Sequence, residues 1–216
     1  MDVDLIQLIL TASSYSAILP LGLGIFNWKY LNFNLKILSV YLFLSALIDI
    51  TTLQLANNLV NNLSLLYVFT VLEFTLFSLI YYNIFRPLRL KKTVIAMAVL
   101  FFLVVILSLY NQGASTYASI PRTLECALFT FYAITYFYRI LSTSFVARVE
   151  KDAMFWYNGG ILVYFAGSLL FFSLSSFILE HASLGMQRKL FITPAILNIV
   201  QKLLFTIGIW VSQRKK

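Results

Sequence analysis

Long apolar runs alternate along the chain with short breaks rich in Asn, Gly, Pro and charged residues. A helix that crosses a bilayer needs about 20 mostly apolar residues. The pattern predicts seven helices of that kind. They lie at about residues 5–26, 37–57, 64–85, 93–110, 123–141, 158–180 and 191–211. The expected fold class is therefore all-α, a polytopic membrane protein with seven transmembrane helices.

Composition supports the same class and limits what else the chain can contain. Of its 216 residues, 61% are hydrophobic and only 11% are charged, whereas soluble domains carry about 25% charged residues. The breaks between the predicted helices are too short to fold alone. We therefore expect residues 1–216 to form a single seven-helix bundle with the lipid bilayer as its surroundings and no separate catalytic domain.

The basic residues are distributed by membrane side. Twelve Lys and Arg residues fall in the odd-numbered connections and the C-terminal tail, whereas Arg122, Arg188 and Lys189 fall in the even-numbered ones. Basic residues of short loops stay in the cytoplasm, so the bias predicts an N-terminus outside and a C-terminus in the cytoplasm. The expected location is the inner (cytoplasmic) membrane of a cell. Because the formal charge of +8 is explained in this way, we expect no nucleic-acid partner.

The N-terminus carries Asp2 and Asp4 where a cleaved signal peptide would have basic residues. The first predicted helix is therefore expected to be retained as a membrane span.

Six polar residues fall within the predicted helices at similar depth and are the candidate ligand-binding residues. Charged side chains near the bilayer centre are costly and face the bundle interior, and residues three or four apart share a helix face. We expect these six to converge on a polar pocket that opens to the outer side: Asp49, Glu73, Glu125, Asn198, Gln201 and Lys202. Glu125 and its neighbour Arg122 lie close enough to the interface to be only solvated, and they are the weakest members of the set. The alternative is that all these groups only join helices to one another.

Lys202 lies near the predicted midplane, where an unpaired ammonium group is costly. Acids occur at similar depth on the second and third helices, so we expect Lys202 to lie within hydrogen-bonding distance of Glu73 or Asn198. Catalytic and metal-binding patterns are otherwise missing from the sequence. Cys126 and His181 are the only residues of their types, and a histidine metal site or a His-centred triad needs further partners. We therefore expect no metal and no enzymatic activity.

The segment from Leu197 to Lys202 and the pair Glu73-Phe74 resemble the seventh and third helices of microbial rhodopsins. That resemblance implies retinal bound to Lys202 as a Schiff base, with Glu73 as its counterion. Asn198 stands where that family has an acid, and Thr70 stands where it usually has an arginine.

The chain as a whole, with Tyr67 to Phe74 and Asn198 to Thr206, also resembles small uncharacterised seven-helix membrane proteins of Bacteroidetes-type bacteria, which implies no activity. The leading hypothesis is a non-enzymatic, receptor-like or sensory protein. It would bind a small molecule from the outer side and act on a cytoplasmic or membrane signalling partner. Alternatives are an ion, proton or small-solute transporter, a retinal protein, and a lipid-modifying intramembrane enzyme.

Overall fold

A computed structural model describes residues 3–58, 62–114, 116–142 and 148–213. In these segments the structure is helical and contains no strand. The α-helices are α1 (Val3–Tyr15), α2 (Ile18–Phe26), α3 (Phe33–Asn57), α4 (Leu63–Ile84), α5 (Leu88–Gln112), α6 (Ser119–Ser142), α7 (Ala153–Ser173), α8 (Ser175–His181) and α9 (Leu184–Gln213). Short 3-10 helices occupy Trp28–Tyr30 and Val149–Lys151.

Seven helical segments in the described part of the chain are long and apolar enough to cross a bilayer. The first combines α1 and α2 as Asp4–Phe26, and the others fall within α3, α4, α5, α6, α7 and α9. The predicted fold class, all-α with seven membrane helices, is confirmed.

The first span is two helices, although one was predicted over residues 5–26. Pro20 lacks the N–H group that would bond to the carbonyl of Ser16, so the regular ladder is broken there. The Ser16 hydroxyl donates to the carbonyl of Ser13 at 2.7 Å and supports the turn between α1 and α2. The first span is therefore interrupted at residues 16–17, just after Ser13 and Ser14, which line a cavity of the bundle.

The bounds of the last two spans also differ from the prediction. Helix α7 begins at Ala153, five residues early, because Asp152 caps it by accepting from the backbone N–H of Met154 at 3.2 Å. It ends at Ser173, and the remainder of the predicted sixth helix forms α8. Helix α9 begins at Leu184, seven residues before the predicted start, because charged residues are tolerated where a helix extends beyond the apolar core of the bilayer.

Helices α7 and α9 approach each other closely at glycine positions. A Cβ atom at Gly160 would lie 2.9 Å from Cε1 of Phe205 and 3.2 Å from the backbone oxygen of Gln201. Small residues at such positions let two membrane helices pack backbone against backbone. This contact holds the C-terminal half of α9 against the centre of the bundle.

Five fully buried phenylalanines fill the middle of the bundle, and we call them the aromatic layer: Phe74, Phe77, Phe129, Phe165 and Phe205. Their ring centroids lie 4.9 Å apart for Phe129 and Phe165, and 5.5 Å apart for Phe77 and Phe129. These spacings and tilted geometries are typical of favourable aromatic packing. The layer divides the interior between a charged cluster at one end and a tyrosine–asparagine contact at the other, where Tyr81 donates to Asn158 at 2.7 Å.

Two adjacent glycines test the close approach of α7 to α9. We expect Gly160→Ala to destabilise the protein by about 1–3 kcal/mol, because the added methyl group overpacks the contact with Phe205. Gly159→Ala is the matched control. Nothing lies within 4 Å of its added Cβ, so it should leave the stability unchanged or raise it by about 0.5–1 kcal/mol. Equilibrium unfolding in mixed micelles measures both, and equal effects would contradict the packing described here.

Candidate functional site

Arg122 is the centre of a buried charged cluster. It lies in the first turn of α6, and its Nη1 donates to Oε2 of Glu73 and, at 2.7 Å, to Oε2 of Glu125. Its Nη2 donates to the hydroxyl of Tyr164 at 2.9 Å. Arg122 is 8% exposed, Glu73 1% and Glu125 0%. Buried charges require pairing of this kind, because an unpaired one carries a large desolvation cost.

Aromatic rings surround the guanidinium group of Arg122. Its Cζ atom lies 5.1 Å from the ring centroid of Phe172, 5.7 Å from that of Phe69 and 6.0 Å from that of Tyr164. Ring faces attract a cation, and more strongly where water is excluded. The rings thus stabilise the charge of Arg122 and cover the start of α6 at the same time.

Lys202 reaches the acids through hydroxyl groups. Its Nζ atom donates to the hydroxyl of Tyr41 at 2.8 Å and to that of Ser45 at 3.1 Å. Tyr41 in turn donates to Oε1 of Glu73 at 2.8 Å, and Ser45 donates to Oδ2 of Asp49 at 3.1 Å. One hydrogen-bonded network therefore joins α3, α4, α6, α7 and α9 across the bundle.

The prediction that Lys202 contacts Glu73 or Asn198 directly is wrong. Within the described residues, no carboxylate lies close enough to Lys202 for an ion pair, and its partners are the two hydroxyls. Arg122 occupies one oxygen of Glu73 and Tyr41 the other. Asn198 points elsewhere, donating to the hydroxyl of Ser13 on α1 at 3.0 Å.

The expectation that Arg122 and Glu125 are solvated near the interface is also wrong. Both are buried, although they lie in the first two turns of α6. Depth counted along one helix omits the neighbouring helices, and here Phe69 on α4 and Phe172 on α7 cover that end of α6. The residues judged nearest to water are therefore the ones that hold the cluster together.

A cavity of about 590 Å³ lies next to the cluster, between the ends of the helices on the side of the N-terminus. Its wall is mostly apolar and includes Leu10, Ile48, Leu63, Leu66, Phe172 and Phe191. Its polar lining includes Asp49, Thr52, Thr70, Glu73, Arg122 and Asn198. This combination of apolar walls with a few convergent polar groups is typical of small-molecule sites.

The six predicted site residues occupy three kinds of position. Asp49, Glu73 and Asn198 line the cavity. Glu125 and Lys202 belong to the network beneath it but do not line it. Gln201 is fully buried, and both polar atoms of its side chain lack a hydrogen-bond partner among the described residues.

Sequence reasoning missed Tyr41 and Tyr164 as members of the site. Tyr41 had a usable signal, since it lies four residues before Ser45 and eight before Asp49, on one face of α3. No sequence signal identified Tyr164, because its spacing does not distinguish it from the other aromatic residues of its helix. Only the packing of α7 against α6 brings its hydroxyl to Arg122.

The surroundings of Lys202 do not fit retinal. Its amine donates to two hydroxyls, and the ring of Tyr41 lies 4.3 Å from Nζ. One turn further along α9, Phe205 enters the aromatic layer, whose five members are all fully buried. Among the described residues the amine is held by these hydrogen bonds and does not line the cavity, an arrangement that does not fit a Schiff base to retinal.

Comparison with known proteins gives no match to a family model, a curated protein or a solved structure. The resemblances to microbial rhodopsins and to small Bacteroidetes-type membrane proteins stay predictions. Within the described residues, no group of three or more His, Cys, Asp and Glu side chains is placed to hold a metal ion. The described residues thus form a charged, hydrogen-bonded cluster next to a cavity with apolar walls and a few polar groups.

A double-mutant cycle tests the pairing. We expect Arg122→Met to cost about 3–5 kcal/mol of stability, because it strands two buried acids. Glu73→Gln in the same background should recover part of the loss, because it removes one unpaired charge. The control cycle combines Glu73→Gln with Lys202→Met and should show a smaller coupling free energy, since those residues meet only through the hydroxyl of Tyr41. Unfolding in mixed micelles measures both, and the reverse order would contradict the network.

Proposed function

We propose that this protein is a non-enzymatic, receptor-like membrane protein that binds a small molecule in the cavity. The single observation that carries the proposal is a cavity of about 590 Å³ with apolar walls over a charged floor. Pockets for small organic ligands have volumes of roughly 300–1,000 Å³ and combine these features.

The floor of the cavity supports a signalling role. Asp49, Glu73 and Arg122 line the cavity and belong to the network that joins five of the spans. A ligand shifts an equilibrium between two conformations only if it contacts them differently. A molecule that contacts Asp49 or Arg122 would therefore act on a hydrogen-bonded network that links several helices. The basic segment from Arg86 to Lys92 would then offer a contact to a cytoplasmic or membrane signalling partner.

Transport is the second candidate, and the network is the observation that favours it. Buried acids and a lysine linked by hydroxyls are typical of ion and proton paths. The aromatic layer argues against it, because five fully buried rings lie between the charged cluster and the far end of the bundle. An enzymatic role has weaker support, since no described group activates a nucleophile at the cavity.

For orientation we propose that the N-terminus and the cavity face outward in the inner membrane. One support is the bias of Lys and Arg towards one set of connections in the sequence. The other is the order of the seven spans: because they alternate in direction, Lys29, Arg89 and Lys151 lie at the end of the bundle opposite the cavity. Arg214, Lys215 and Lys216 belong to the same bias but lie outside the described residues.

Reporter fusions test the orientation. Alkaline phosphatase, active only outside the cytoplasm, should be active when fused after Gln112 and inactive when fused after Ile84 in a bacterial host. A fluorescent protein at the C-terminus should mature and fluoresce, because it stays in the cytoplasm. The opposite pattern at both sites would reverse the proposed orientation.

A matched pair of variants tests ligand binding. Ala195 lines the cavity and is 8% exposed, whereas the adjacent Ile196 is 45% exposed. We expect at least one of three probes, 4-phenylbutylamine, 4-phenylbutanol or 4-phenylbutanoate, to stabilise the wild-type protein in a neutral detergent. Binding to the folded state adds about 2.7 kcal/mol at a hundred times the Kd. Ala195→Phe should weaken the stabilisation, because its ring takes up space in the cavity, and Ile196→Phe should keep it.

The result is read from thermal unfolding together with calorimetric titration. If none of the three probes binds, or if Ala195→Phe weakens binding no more than Ile196→Phe does, the proposed function is wrong.

A further inference from the structure

We infer that the cavity takes an amphipathic organic cation, with an ammonium group against Asp49 and a hydrocarbon body against the apolar wall. This inference rests on the proposed function and names the class of its ligand.

Asp49 is the acid of the cluster that remains open to a ligand. Both oxygens of Glu73 are engaged, one by Tyr41 and the other by Arg122, and Glu125 does not line the cavity. Asp49 is half-buried, lines the cavity, and accepts one hydrogen bond, from Ser45 to Oδ2. Its Oδ1 has no partner among the described residues. A carboxylate oxygen beside apolar walls favours a charged donor over a neutral one.

Thr52 gives a second, independent observation at the same place. It lies three residues after Asp49 on α3 and therefore shares its helix face. It lines the cavity, and its Oγ1 is buried with no hydrogen-bond partner among the described residues. An ammonium group has three donors, so one that binds Asp49 Oδ1 has a donor left for Thr52 Oγ1 once the Thr52 side chain turns towards the cavity.

The charges of the cluster favour a cation over an anion. Three carboxylates, Asp49, Glu73 and Glu125, stand against two cations, Arg122 and Lys202. Among the described residues, Asp49 is the member of this cluster that lines the cavity with a carboxylate oxygen free of partners, and an ammonium group complements that oxygen. An anionic ligand has no comparable partner, since Arg122 is already paired with two acids and Lys202 does not line the cavity.

The three probes share one hydrocarbon body and differ only in the head group, so they separate charge from shape. In neutral detergent at neutral pH, we expect 4-phenylbutylamine to bind the wild-type protein about tenfold more tightly than 4-phenylbutanol, and 4-phenylbutanoate to bind most weakly. Calorimetric titration gives the three Kd values. Empty micelles of the same detergent correct for partitioning of each probe.

Asp49→Asn should remove the preference for the amine and bring its Kd to that of the alcohol. The matched control is Asp4→Asn, which makes the same charge change at an exposed position in the first turn of α1 and should leave the preference intact. Thr52→Val, which has the same shape without the hydroxyl, should weaken amine binding several-fold while leaving alcohol binding unchanged.

The outcomes separate this inference from the proposed function. Probe binding that is weakened by Ala195→Phe but not by Ile196→Phe, with the amine no tighter than the alcohol, overturns the inference and leaves the binding function standing. Loss of the preference in both Asp4→Asn and Asp49→Asn would overturn it as well, because the charge would then act from a distance. If Asp49→Asn fails to fold, the ranking of the three probes on the wild-type protein and its change in Thr52→Val decide the question.

Discussion

The pairing of Arg122 with Glu73 and Glu125 is the interaction on which the interior of this protein depends. Charges placed among membrane helices are tolerated only when they are paired and hydrogen-bonded. Here one guanidinium group donates to two carboxylates and a tyrosine hydroxyl, and the centroids of three aromatic rings lie 5.1–6.0 Å from its Cζ atom. Since Glu73 lies on α4 and Tyr164 on α7, this one side chain sets how three helices meet.

The lysine depends on that arrangement although it never contacts Arg122. Once Arg122 occupies Oε2 of Glu73, the remaining Oε1 is reached through Tyr41, and Lys202 donates to the same hydroxyl. Tyr41 and Ser45 each donate one hydrogen bond and accept another, so their hydroxyls are used in both directions. Among the described residues, Lys202 is thereby hydrogen-bonded within the bundle without a direct ion pair, and Asp49, which lines the cavity, keeps one oxygen without a partner.

The interior of the bundle is arranged in three layers, and they determine which groups line the cavity and what lies below it. Apolar walls and a few polar groups line the cavity, the charged cluster lies beneath it, and the aromatic layer closes the bundle below the cluster. A closed aromatic layer below the charged cluster fits the proposed ligand-binding site better than a path for ions or protons across the membrane. The close contact of α7 with α9 at Gly160 holds Phe205 in the aromatic layer. This one glycine therefore contributes indirectly to the layer on which the charged cluster lies.

The sequence by itself determined the number and approximate positions of the membrane helices, because the length of an apolar run reflects the thickness of a bilayer. It also identified Asp49, Glu73, Glu125 and Lys202, since intramembrane charges are rare enough to stand out. Tertiary structure alone decided which charges pair. Helical periodicity gives the face of a residue on its own helix but not the rotation or depth of its neighbours. That is why Arg122 was assigned to the solvated interface, why Tyr164 was missed, and why Lys202 meets hydroxyls where an acid was expected.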